Sequence, residues 1–187
     1  MKRAWFAIAL SLLALALPAR ASTFLAVSQE EMVKQAHAVV TGRVIEVNSY
    51  WNAKGTVILT EAVIEIDDAI LGDVPAHVRV RTFGGQVGDL KIAALGHPTF
   101  EGGEKLLLFL EPRQDGFHKV LAYQQGQFRI RTGPGGREIA VPAWDEESAR
   151  VVKADGTPAR APRAVALEDL KLRIRETARR VARPHAQ

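Results

Sequence analysis

Between Val39 and Val141 the sequence alternates short β-branched and apolar runs with turn signals. That pattern leaves room for little besides an antiparallel β domain. Residues 77–83 show it most cleanly, with Val78 and Val80 facing one way and Arg79 and Arg81 the other. Residues 56–70 form a longer run, with Ala62, Ile64 and Ile66 against Glu61 and Glu65. In residues 39–47 the apolar run is interrupted by Gly42, which predicts a bulge or a close backbone approach. Residues 105–110 are almost wholly apolar, as in a central strand buried on both faces. Residues 117–123 and 127–131 read as paired strands, or as one strand bent near Gly126, and 138–141 as a further strand.

Helical signals flank this region. Ser28 and Glu31 have capping-box spacing, and a short helix to about Ala38 should bury Met32, Val33 and Ala36. Leu167, Leu170, Ile174, Ala178 and Val181 recur at helical spacing, predicting a terminal amphipathic helix. The expected fold is mainly β: a small five-stranded barrel of the oligonucleotide/oligosaccharide-binding (OB) type with a short N-terminal and a C-terminal helix. A β-sandwich is the alternative.

The first residues predict export. Lys2 and Arg3 precede a 14-residue apolar run, Pro18 ends it, and Ala19-Arg20-Ala21 supplies a small-x-small cleavage site. The expected division is 1–21 signal peptide, 22–143 β-barrel, 144–163 linker and 164–187 C-terminal helix. No later stretch reaches membrane-spanning length, so stable insertion after cleavage is not expected. The exported chain would stay in the periplasm or be secreted.

Removing Lys2, Arg3 and Arg20 lowers the formal charge from +4 to +1. The apparent basicity therefore gives no reason to expect a nucleic-acid partner. Residues 164–187 carry six Lys/Arg against three acids, which reads as a solvated helix face or as a contact to an anionic envelope surface. The chain has no cysteine. Thiolate metal sites, thiol catalysis and disulfide staples are excluded, and stability must come from the core.

No histidine pair has zinc-protease spacing, and no Gly-x-Ser-x-Gly is present. The adjacent pairs Asp67-Asp68 and Glu146-Glu147 would diverge on a strand. Metal and cofactor sites are therefore not expected, and a hydrolase would need distant residues to converge. Recognition is expected in the long connection between Gly84-Gly85 and Gly103, which holds His97 and Phe100. Tyr50 and Trp51 on the first turn could add a stacking platform for a glycan or small ligand.

Several phrases resemble a group of uncharacterised exported bacterial proteins. They are Gln29-Glu-Glu-Met-Val-Lys34, Ala38-Val-Val-Thr-Gly-Arg-Val44, Ala69-Ile-Leu-Gly72, Thr82-Phe-Gly-Gly-Gln-Val-Gly88, residues 96–110 and Gln125-Gly-Gln-Phe128, covering about residues 24–131. The layout Val39-Val40-x-Gly42-x-Val44, with a later strand after Gly103-Glu104-Lys105, is also similar to the netrin-like barrel of the tissue inhibitors of metalloproteinases. That resemblance implies an OB barrel and a protease partner, so the expected function is a non-catalytic exported binding module. An envelope glycan or small-ligand binder is the alternative. Those inhibitors begin with cysteine and are disulfide-linked. Here the expected start is Ser22-Thr23-Phe24: its amine and carbonyl could chelate a protease zinc, but with no cysteine nothing is expected to pin that end to the barrel, and no inhibitory residue is carried over.

Overall fold

A computed structural model describes residues 23–144 and 150–182. The expected signal peptide, the Glu146-Glu147 pair and His185 lie outside them. The elements are β1 (Thr23–Leu25), α1 (Gln29–Gln35), β2 (Ala38–Trp51), β3 (Ile58–Leu71), β4 (His77–Phe83), β5 (Gly85–Val87), β6 (Leu90–Ile92), β7 (Lys105–Pro112), β8 (His118–Val120), β9 (Gln127–Thr132), β10 (Glu138–Pro142), β11 (Arg150–Val152), β12 (Val165–Ala166) and α2 (Leu167–Ala182).

Strands β7, β2, β3, β4 and β8 close a five-stranded barrel. Closure comes from β8, which pairs with β4 in parallel (Val80↔His118) and with β7 antiparallel (Leu110↔Val120). The alternative sandwich is thus not formed. The interior is filled by Val40, Val44, Ala62, Ile64, Val78, Val80, Leu106, Leu108, Leu110 and Val120, with Phe100 entering from the long connection.

Strand β7 explains why residues 105–110 lack polar alternation. Leu106, Leu108 and Leu110 point into the barrel, while Leu107 and Phe109 point into a second core outside it. All five are fully buried. Each contributes on the order of 2 kcal/mol of burial free energy. One edge of β7 pairs with β2. The other is shared: its C-terminal half binds β8 and its N-terminal half binds β9. Residues 117–132 therefore follow one edge, as a strand interrupted by a 3-10 turn at Tyr123–Gly126. They do not pair with each other. Strand β9 continues through β10 to β12, forming a flap of sheet off the barrel wall.

Both helices cover that outer core. Met32 and Val33 of α1, and Leu167, Leu170 and Ile174 of α2, pack on Val39, Leu107, Phe109, Phe128 and Ile130. Ser28 caps α1, its Oγ accepting from the Glu31 amide at 3.1 Å. The Glu31 carboxylate accepts from Gln35 Nε2 at 2.6 Å rather than completing the box in any bond seen here. Helix α1 stops at Gln35, about three residues earlier than expected, because β2 begins at Ala38. The basic face of α2 is largely committed to the body of the chain. Lys171 and Arg175 reach Asp68 at 3.0 and 2.9 Å, and Arg180 reaches Glu30 at 3.0 Å. The segment expected to be a linker carries β11, which pairs in parallel with β1, and β12 follows it against β10.

Gly42 meets both expectations. The β2–β3 register shifts between Thr41 and Gly42, and a Cβ there would meet the Glu65 carbonyl and stand 2.8 Å from Ile64 Cγ2. Gly42→Ala should cost about 1–3 kcal/mol in urea unfolding, since backbone must move. Gly102→Ala, at a site with open space, should stay within about 0.5 kcal/mol. Ile174→Ala should cost about 2–5 kcal/mol and lower the single transition of the whole chain if α2 is part of one core; a separate transition for the helix would refute that.

Candidate functional site

The mouth of the barrel near the ends of β2, β3 and β4 opens into a cleft of about 530 Å³. Its floor is a row of hydroxyls brought together by register. Ser49 faces Thr60, and Thr60 faces Thr82. Ser49 Oγ and Thr60 Oγ1 are hydrogen-bonded at 2.8 Å, and Thr60 Oγ1 donates to the Gly84 carbonyl at 2.7 Å. Thr82 Oγ1 is buried and has no hydrogen-bond partner. The walls include Phe83, Ile92, Leu95, His97 and Phe100, and Gln127 and Arg129 close the far side. Gln127 is buried and donates to the Thr99 carbonyl at 2.7 Å. Arg129 donates to the buried Glu104 carboxylate at 3.2 Å and to Thr99 Oγ1 at 2.9 Å.

Four of the six expected site residues line this cleft: Gly84, Gly85, His97 and Phe100. Gly84 and Gly85 turn the chain from β4 into the β5–β6 hairpin with φ of +87° and +132°, and a Cβ on Gly85 would fall on the Ser49 and Thr60 hydroxyls. Phe100 is only 8% exposed and belongs as much to the barrel core as to the cleft. Tyr50 and Trp51 lie elsewhere. The Tyr50 hydroxyl is bound to the Glu61 carboxylate, which also receives Arg79 at 2.9 Å and Arg81 at 2.7 Å. Trp51 is partly exposed at the end of β2. Tyr50, Trp51 and Phe100 therefore do not form the expected stacking platform. Both arginines also lie over the Phe117 ring, at 4.1 and 3.6 Å. Burial alone would raise the Glu61 carboxyl, but the Tyr50, Arg81 and Arg79 hydrogen bonds outweigh it and hold its pKa below the usual range.

An aromatic row runs along the rim. Phe24 of β1 packs on Tyr123 at 4.9 Å, Tyr123 on His97 at 4.9 Å, and His97 on Phe83 at 5.2 Å. Phe24 also sits where a Gly96 side chain would be. Tyr123 is held in the left-handed region at φ +59°, an uncommon conformation for a residue with a side chain. The following residues fasten β1 further. Gln125 Oε1 accepts from the Val27 amide at 3.0 Å, Gln125 Nε2 donates to the Leu25 carbonyl at 3.0 Å, and Ala26 donates to the Val152 carbonyl at 2.7 Å. The expectation that nothing would pin this end is thereby corrected: ring packing and backbone pairing replace the missing covalent link.

Phe24, Tyr123 and the hydroxyl row were missed in the sequence. The hydroxyls had a signal, because extending the inward alternation of Ala62/Ile64 and Val78/Val80 reaches Thr60 and Thr82. Two histidines do converge, His37 and His118, with ring centres 6.4 Å apart, but neither lines the cleft. Among the described residues no three His, Cys, Asp or Glu side chains gather as a metal site. No helix among them is long and apolar enough to cross a membrane. Comparison with protein-family models and with curated proteins finds no match to the chain.

Burial lowers the pKa of His97, and burial together with the charge of His37 lowers that of His118, against a smaller raising effect of the Arg79 backbone. Both groups take up protons on unfolding at pH values where the folded chain resists them. Their contribution to stability is present above about pH 6.5 and is lost as pH falls through the lower folded values. The melting temperature should drop between pH 7.5 and pH 5, before the paired carboxylates titrate. His97→Phe keeps the ring contacts and should shrink the drop, so an unchanged pH profile in that variant would contradict the assignment.

Proposed function

We propose that the chain is a non-catalytic exported binding module that engages another exported protein, a metalloprotease in the first instance, through β1 and the adjoining cleft rim. The observation that carries this reading is the fastening of Phe24 at the rim by Tyr123 and Gly96. Signal cleavage after Ala21 would leave Ser22 one residue ahead of β1. A fresh amine and carbonyl would then immediately precede that strand in the chain, and an amine with a carbonyl is a donor pair suited to the open position of a catalytic zinc. The similarity to exported bacterial proteins and to the netrin-like inhibitors supports the same reading. Exposed Leu25, Phe83 and Leu95 near the rim supply the apolar surface that protein contacts use.

The alternative, a small-ligand or envelope-glycan binder, draws support from the cleft volume, which lies in the range of small-molecule sites. For glycan stacking the support is weaker, given how Tyr50 and Trp51 lie. A hydrolase has less support again, since the histidines that meet are away from the cleft.

The purified chain beginning at Ser22 should slow secreted zinc proteases. Adding one alanine ahead of Ser22, or acetylating its amine, should weaken that effect at least about tenfold, roughly 1.4 kcal/mol, without changing the melting temperature. Phe24→Ala should weaken it as well. If no protease is slowed and envelope extracts yield no bound partner, the reading fails.

A further inference from the structure

We propose that the barrel-mouth cleft binds a small, uncharged, mainly apolar molecule whose single hydrogen-bonding oxygen seats on Thr82. This rests on the barrel being a binding module and is independent of any protease contact at β1.

The size argument comes first. A cleft of about 530 Å³ is larger than any one side chain that a partner could insert, and suits a whole small molecule. Charge comes second. The cationic group closing the far side, Arg129, is already matched by Glu104 and Thr99. Glu101 and Lys91 also line the cleft, and both are exposed to solvent, unlike the buried Thr60 and Thr82 of the floor. A charged ligand group on the floor would lose its hydration to hydroxyls and apolar walls, with no counter-ion there to replace it. Burial also keeps His97 below its usual pKa, so that wall is uncharged at neutral pH.

The polar floor then selects among neutral ligands. Ser49 and Thr60 have satisfied each other and the Gly84 carbonyl. Thr82 has not: its Oγ1 is buried without a partner, although the residue lines the cleft. Buried hydroxyls of that kind are uncommon, and each calls for an explanation. A 120° step about χ1 carries a threonine hydroxyl to a neighbouring staggered position while the methyl moves to the third, and staggered positions are the ordinary wells of such a side chain. A ligand oxygen at the floor would complete the bond. Phe83, Ile92 and Leu95 would cover the rest of the molecule. Ile92 ends the β5–β6 hairpin, Leu95 follows it, and both are exposed.

The test uses the purified chain and the neutral fluorescent probe N-phenyl-1-naphthylamine. Saturable one-site binding is expected. A medium-chain primary alcohol should displace the probe at a concentration at least about tenfold lower than the carboxylate of equal length, a difference of about 1.4 kcal/mol. Thr82→Val should reduce the alcohol's affinity several-fold, while Thr82→Ser retains it. Thr82→Val should also melt no lower than the parent chain, because an unpaired hydroxyl has been removed. Ile92→Glu, on the exposed hairpin, should abolish probe binding without loss of fold. Absence of saturable binding, equal displacement by the carboxylate, or an unchanged alcohol affinity in Thr82→Val would overturn the proposal. None of these outcomes bears on protease inhibition, so the two readings fail separately.

Discussion

Everything else in this structure depends on β7 being buried on both faces. Its alternate residues Leu106, Leu108 and Leu110 fill the barrel, while Leu107 and Phe109 anchor the outer core beneath the two helices. A strand with one wet face could not have joined these two cores. Without that junction the barrel would be a small sheet with a bare wall, and α1 and α2 would have nothing to cover. The shared edge matters equally. By pairing with β8 at one end and β9 at the other, β7 closes the barrel and launches the β9–β10–β12 flap from the same strand. The 3-10 turn between β8 and β9 is where the chain changes partner surface, and it places Tyr123 at the cleft rim.

The cleft follows from that arrangement. Next to the barrel core, β2, β3 and β4 bring the hydroxyls of Ser49, Thr60 and Thr82 into register. A closed barrel with a polar upper layer needs a cover, and the β5–β6 hairpin with residues 93–100 supplies one that leaves a cleft. The N-terminal strand is drawn to the same rim by ring packing. A chain with no cysteine can fix its first residues only by burial and backbone pairing, and here Phe24, the Gln125 side chain and β11 together do so.

Local pattern made much of the fold legible. The bounds of β4 match the alternation of residues 77–83, Gly42 marks a bulge, and the apolar run of β7 marks a strand buried on both sides. The leucine and isoleucine spacing of α2 marks its buried face. Four of the six expected residues line the cleft, and they are legible because glycines and a long connection are visible locally. Tyr50 and Trp51 went astray because aromatic residues on a turn say nothing about which acid or base will claim them. Glu61 claims Tyr50 across two strands, eleven positions away.

By itself the sequence determined the strand pattern, the cysteine-free core and the covering helices, because periodicity and burial are properties of neighbouring residues. Tertiary structure alone decided that β8 would close the barrel and that Ser49, Thr60 and Thr82 would line up. It alone decided, too, that Phe24 would meet Tyr123 from almost a hundred residues away. Those outcomes depend on register and closure, where a shift of one residue exchanges the two faces of a strand.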